Sequence, residues 1–165
     1  MKRLVLIIHN VRSAHNVGSL FRTADGVGVQ EVFLTGYTPA PPKRDALYLT
    51  DAEKSFKKTA LGAEKYVVWQ KQSPLGKIIT MLKKQGYKIV ALEQATRSID
   101  YQKYVPEARV ALIVGNEVHG VDAKILKQCD TIIEIPMYGE KNSLNVSVAG
   151  GIALYQIKGT MKKRE

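Results

Sequence analysis

Three polar stretches of this sequence carry residue types able to hold a ligand and assist a reaction on it. The first, Asn10-Val-Arg-Ser-Ala-His-Asn-Val-Gly18, offers amides and hydroxyls, with Arg22 one turn further along the chain. In the second, Gly115-Asn-Glu-Val-His-Gly120, glycines that permit close backbone approach frame a single acid, Glu117. The third, Pro136 to Asn145, is a loop of small and polar residues. Together they suit a cofactor held chiefly by backbone amides, with few charged side chains and an arginine available for phosphate. Other chemistries find no support. Gly-x-x-x-x-Gly-Lys-Ser/Thr is absent, no strand is followed by Gly-x-Gly-x-x-Gly, and Gly-x-Ser-x-Gly does not occur. His9, His15, His119 and the lone Cys129 lack metal-ligand spacing, so no metal site is expected; Cys129 can form no internal disulfide and reads as a small core residue.

Each loop needs an element to position it. Leu4 to Ile8 is a continuous apolar run, suited to a strand covered on both faces, and it delivers His9 and Asn10 to the first loop. A helix is expected from about Asn16, as N-cap, to Gly26, with Val17, Leu20, Phe21 and Ala24 buried and Gly26 and Gly28 ending it. Arg22 lies within it, either as a solvated helix arginine or as a phosphate clamp. Glu31 to Thr35 is the second strand. Thr38 to Arg44 is proline-rich and irregular, and the chain remains basic and mixed to about Lys65; the lysines beside Tyr48 and Phe56 could hold an RNA backbone or simply be solvated. Tyr66 to Gln70 is a strand, Pro74 opens a helix to Gly86, and Lys88 to Glu93 is a strand. A polar connection, Arg97 to Glu107, precedes the buried strand Val110 to Val114. A short helix, Asp122 to Gln128, leads to the strand Thr131 to Ile135. The last helix shows Leu144, Val148, Ile152 and Tyr155 at spacings of four, four and three, an apolar face with Ser143 near the N-cap. At that position Ser143 either caps the helix or holds a ligand group. Strand and helix alternate throughout, the pattern of an α/β domain with a largely parallel sheet.

At 165 residues the chain is expected to be one domain, residues 1–165, that supplies both binding and chemistry. A hydrophobic content of 45% with 24% charged residues is that of a folded domain rather than a disordered chain. Lys and Arg number 25 against 15 Asp and Glu, a net charge of +10, which favours a polyanionic partner, nucleic acid first and an anionic membrane surface behind it. No apolar run approaches the ~20 residues of a spanning helix, and Leu4 to Ile8 is too short for a signal-peptide core, so no membrane partner and a cytoplasmic protein are expected.

Three longer segments carry a family resemblance: Asn16-Val-Gly-Ser-Leu-Phe-Arg-Thr-Ala24, Ile113-Val-Gly-Asn-Glu-Val-His-Gly120, and Ile135-Pro-Met followed by Ser143-Leu-Asn-Val-Ser-Val-Ala149. In order and spacing they resemble the three motifs of the SpoU/TrmH-type RNA 2′-O-ribose methyltransferases of the SPOUT superfamily. Lys58-Thr-Ala-Leu-Gly-Ala-Glu64 and Ala91-Leu-Glu93 resemble further family segments. The resemblance implies a C-terminal deep trefoil knot, S-adenosylmethionine as cofactor, tRNA or rRNA as substrate, and a homodimer whose sites mix residues of both subunits. On matching positions it implies cofactor contacts from Leu92, Gly115, Ile135, Ser143 and Leu144, and catalytic positions Asn16, Arg22, Glu117, Ser143 and Asn145. Many relatives carry an extra RNA-binding domain; here RNA selection is expected from the domain itself, with the basic tail Lys162-Lys-Arg164 a possible aid. A guanidinium stays charged at neutral pH, so Arg22 suits phosphate binding and stabilisation of a developing oxyanion better than proton removal. Glu117 suits orienting its loop. A catalytically silent RNA-binding module of the same fold, and an RNA base methyltransferase, are the alternative readings.

Overall fold

In the computed structural model, residues 2–72 and 74–161 are described. They form a fully parallel seven-stranded sheet in the order β3-β2-β1-β6-β4-β7-β5. The strands are β1 (Arg3–His9), β2 (Glu31–Thr35), β3 (Trp69–Lys71), β4 (Lys88–Leu92), β5 (Ile99–Asp100), β6 (Arg109–Val114) and β7 (Thr131–Glu134). The helices are α1 (Ala14–Val27), α2 (Asp51–Ala60), α3 (Leu75–Lys84), α4 (Ala123–Leu126) and α5 (Val146–Thr160). β1 is apolar at every interior position because both its faces are covered. Leu4, Leu6 and Ile8 pack with α1, α2 and α5 on one side, while Val5 and Ile7 pack with α3 on the other.

Local signals set most boundaries, and several differ from expectation. The N-cap of α1 is Ser13, whose Oγ accepts from the Asn16 backbone N–H at 3.2 Å. Asn16 is therefore inside the first turn, free to use its side chain elsewhere. Gly28, at φ 71°, ends the helix; Gly26 is helical. α2 lies in the stretch expected to be irregular. Thr50 and Glu53 close a reciprocal capping box at its start, a pattern the sequence does contain. Phe56, named in the sequence reading only as a neighbour of the lysines, is buried in this helix and meets Phe21 edge-on with centroids 5.3 Å apart. β3 starts three residues later than expected because Tyr66 and Val67 donate back to the Ala63 carbonyl, both at 3.0 Å, and close the 3-10 turn Ala63–Lys65. The polar connection after β4 supplies the edge strand β5 and a 3-10 turn, Tyr101–Lys103.

The largest departure concerns α5. Its N-cap is Asn145, not Ser143: Asn145 Oδ1 accepts from Ser147 N at 2.8 Å and Val148 N at 3.4 Å. Its buried face is Gly150, Ala153, Leu154 and Ile157. The expected face is turned away, with Leu144 38%, Val148 51% and Tyr155 59% exposed. Close approach to α1 explains the choice. A Cβ on Gly150 would lie 2.7 Å from Leu20 Cδ2, so the small side of the helix meets its neighbour. α5 also contacts β4, β6 and the Tyr101–Lys103 turn of the connection between those strands. The basic tail Lys162-Lys-Arg164 lies outside the described residues.

α1 and α2 approach so closely at Gly18 that an added Cβ would overlap Thr59 Oγ1 and the Phe56 carbonyl. Gly18→Ala is expected to cost about 1–3 kcal/mol by overpacking. The measurement is urea unfolding, with a lower midpoint at unchanged slope.

Candidate active site

The sheet order places β4 between β6 and β7. Because all three are parallel, their carboxyl ends open on one edge, where ligands collect in α/β folds. The segments leaving them enclose a cleft of about 310 Å³. β4 contributes Leu92, Glu93 and Gln94; β6 contributes Val114 to Val118 and Gly120; β7 and its loop contribute Glu134, Ile135, Met137 and Asn142 to Leu144; α5 contributes Val146 and Ala149.

Each loop is shaped by identifiable contacts. After β6 the chain turns back on itself through reciprocal backbone bonds between Asn116 and Gly120, at 3.2 and 2.9 Å. Gly115 is required there: a Cβ would lie 2.7 Å from the Gly120 carbonyl and from Val121. Glu93 Oε2 accepts from Val121 N at 2.8 Å, tying the turn to β4. Gln94 Nε2 donates to the Asn142 carbonyl at 2.7 Å and holds the β7 loop across the cleft. The sequence reading assigned no role to Asn116 or Gln94, and took Glu93 only as part of a family segment. Their partners lie as many as 106 residues away, so no local pattern reveals them.

Glu117 joins two of the loops. Its carboxylate accepts from Arg12 N at 3.0 Å, Ser13 N at 3.1 Å and Asn16 Nδ2 at 3.2 Å. Asn145 Nδ2 then donates to Asn16 Oδ1 at 3.1 Å. A chain of contacts Asn145 to Asn16 to Glu117 thus links the starts of α5 and α1 with the β6 loop. Partial burial pushes the Glu117 carboxyl up, but its backbone hydrogen bonds and the Asn16 amide hold it below the usual carboxylate value.

The sequence-derived residues fall into three groups. Leu92, Gly115, Ile135, Ser143 and Leu144 all line the cleft, as does Glu117. Asn16 and Asn145 stand beside it, joined to Glu117. Arg22 is exposed on α1 and does not line the cleft of its own chain. The lining residues include Glu93, Glu117 and Glu134 and no Lys, Arg or His, in a chain of net charge +10. Such a donor set suits a ligand carrying positive charge. Among the described residues no His, Cys, Asp and Glu cluster could hold a metal ion. Nor is any helix among them long and apolar enough to cross a membrane.

Known proteins resemble the chain over most of its length. The SpoU rRNA Methylase family profile matches residues 3–155. A protein of Staphylococcus haemolyticus named for the TrmH family of tRNA/rRNA methyltransferases is 34% identical over 153 residues, 93% of this chain and 57% of its own length. The chain thus spans just over half of that curated relative. The A. aeolicus TrmH/SpoU tRNA modifying enzyme superposes with a TM-score of 0.82 at 31% identity, covering 97% of this chain and 76% of that one. An AdoMet-bound rRNA methyltransferase from Sinorhizobium meliloti shares the fold at a TM-score of 0.83 and 23% identity, covering 95% and 56%.

A carboxyl held below its ordinary value of 4.5 stabilises the folded loops above that value and ceases to do so as pH falls through its folded value. Amide exchange protection at Arg12 and Ser13 is therefore expected to persist at neutral pH and to collapse on acidification below that range. Glu117→Gln should remove this pH dependence.

Proposed function

The chain belongs to the SpoU rRNA methylase family, and on that premise we propose that it transfers a methyl group from S-adenosylmethionine to a ribose 2′-hydroxyl of tRNA or rRNA. One observation carries the reading. Three segments far apart in sequence converge on one cleft, and all five residues proposed for cofactor binding line it. The cleft is at the lower end of the ~300–1,000 Å³ typical of small-molecule sites, and its glycine-tightened turn and carboxylate lining suit a cofactor bearing sulfonium and ammonium charges. S-adenosylmethionine, when bound, supplies an electrophilic methyl group on sulfur. Leu92, Gly115, Ile135, Ser143 and Leu144 would hold it.

The residues of the chain then have separate tasks. A ribose hydroxyl is mostly protonated at neutral pH, so the site must align it and accommodate negative charge on its oxygen as its proton passes to solvent water. Arg22, exposed and without an ion-pair partner among the described residues, binds the adjacent RNA phosphate and hydrogen-bonds that oxygen. Asn16 and Asn145 fix the geometry of the approach. Glu117, with three donors on its carboxylate, holds the first loop in place rather than taking the proton.

Because Arg22 does not line its own chain's cleft, the complete site requires a second copy. The apolar residues of α5 turned to solvent, Val148 and Tyr155, supply the surface for a homodimer. Residues 1–165 act as a methyltransferase domain. The contacts of α5 with β4, β6 and the turn between them are those expected if the C-terminal segment is threaded as a trefoil knot. RNA is drawn by the basic surface, and the reaction belongs in the cytoplasm, where both RNA classes reside.

Calorimetric titration with S-adenosylmethionine is expected to show saturable binding near one cofactor per chain, and tritiated-methyl transfer to bulk tRNA or rRNA should yield 2′-O-methylnucleosides on digestion. Arg22→Ala should leave cofactor affinity largely intact while lowering transfer by about 10²–10³-fold, the scale of losing one charge-stabilising donor. A methylated base among the products, or no cofactor binding with and without RNA, would overturn the reading. Sedimentation should give a dimer for the wild-type chain and a monomer for Val148→Asp.

A further inference from the structure

Tyr37, just beyond β2, is held more firmly than core packing requires. The residue is 55% exposed, yet it is tied at both ends. Its backbone N–H donates to Asn10 Oδ1 at 3.2 Å, and its phenolic oxygen accepts from Asn116 Nδ2 at 2.9 Å. Asn116 is only 7% exposed and lines the cleft. Its Oδ1 accepts from the N–H groups of Val118 and His119 at 2.9 and 2.8 Å. The amide that anchors the Tyr37 ring is therefore the one that shapes the cleft loop.

The other tether is built from unusual backbone. Asn10 has φ 54° and Gly36 φ 61°, both in the left-handed region, and a Cβ on Gly36 would overlap the Asn10 carboxamide. L-residues adopt that region at a cost, and the second position needs glycine. Asn10 Nδ2 donates to His9 Nε2 at 3.2 Å, which leaves His9 Nδ1–H to donate to Thr35 Oγ1 at 2.7 Å. Buried Thr38 donates to the Ile8 carbonyl at 3.0 Å and accepts from Val11 N at 3.2 Å. The turn bearing Tyr37 is thus stapled to the end of β1 on both sides. Asn10, a non-glycine in that region, also accepts from the cleft-lining Asn116 Nδ2 through its carbonyl at 3.0 Å, and such backbone strain around an exposed ring points to a role outside stability.

We propose that the exposed face of Tyr37 is a nucleobase-stacking platform that positions the base of the nucleotide whose ribose enters the cleft. This rests on the RNA ribose methylation reading. Every base offers a π-face to an aromatic ring, and a ring already immobilised loses little rotamer freedom on stacking. The Tyr37 hydroxyl, used as an acceptor by Asn116, keeps its own hydrogen to donate to a base edge or phosphate. The exposed Lys43 and Arg44 follow in the same connection and supply charge for the RNA backbone.

The test uses Tyr37→Trp, whose emission reports the platform; wild type, with Trp69 packed against the core, gives the background. Titration with bulk tRNA and rRNA is expected to quench the variant beyond wild type. Tyr37→Ala should lower kcat/KM for RNA methylation by about 5- to 150-fold, the range for losing one base stack, with Tyr37→Phe recovering most of the loss. Affinity for S-adenosylmethionine should not change across the series. RNA binding to Tyr37→Trp without excess quenching, or an unaltered kcat/KM in Tyr37→Ala, overturns the platform. An equal fall in cofactor affinity in the Ala and Phe variants also overturns it, assigning Tyr37 to support of the Asn116 loop. Should wild type methylate neither RNA, the functional reading fails separately, and the emission titration alone decides the platform.

Discussion

The parallel pairing of β1 with β6, continuous from Arg3 opposite Arg109 to Ile8 opposite Val114, is the constraint on which the site depends. It ends both strands at one level, so the loop after His9 and the loop after Val114 leave the sheet side by side. Glu117 then bridges them, its carboxylate shared among two backbone N–H groups and the Asn16 amide. Since Asn16 also meets Asn145, a single acid fixes the start of α1 and, through one intermediary, the start of α5. This explains an acid in a cleft where proton transfer to it would be unfavourable. A carboxylate stabilised by several donors is a poor base and a good anchor.

The chain separates its charges. Its net charge is +10, yet the cleft lining carries three carboxylates and no basic side chain. A polyanion is attracted to the outer surface and disfavoured within the cleft, whereas a cationic small molecule experiences the reverse. Binding of the two ligand classes can thus be directed to different places on one small domain by charge alone. Asn116 lines the cleft, and its amide holds the exposed ring of Tyr37.

α5 shows how backbone proximity can outweigh side-chain hydrophobicity. Packing against α1 uses Gly150, where a larger residue would collide with Leu20. The price is that Val148 and Tyr155 face outward, an apolar surface left exposed among the described residues. The helix therefore serves the core with one face and carries an unpartnered surface on the other, while its N-terminal turn borders the cleft.

Much was legible in the sequence because the interactions involved are local. Continuous apolar runs marked β1, β4, β6 and β7, whose two buried faces leave no polar alternation, and the strand-helix rhythm gave the parallel α/β class. The segments that resemble the family named the cleft-lining residues, Leu92 from Ala91-Leu-Glu93 and Gly115, Ile135, Ser143 and Leu144 from the longer motifs. Periodicity misread the buried face of α5, since spacing identifies an apolar stripe but not which neighbour comes close enough to demand glycine. The Thr50 and Glu53 capping box was present but masked by a basic, proline-led context. Only the tertiary structure decided that Asn16 turns to Glu117 and Asn145, that Asn116 holds Tyr37, and that Arg22 stands apart from the cleft. The physical reason is range: caps and periodicities act over a few residues, whereas these contacts join positions 79 to 129 apart and exist only once the sheet has set its strand order.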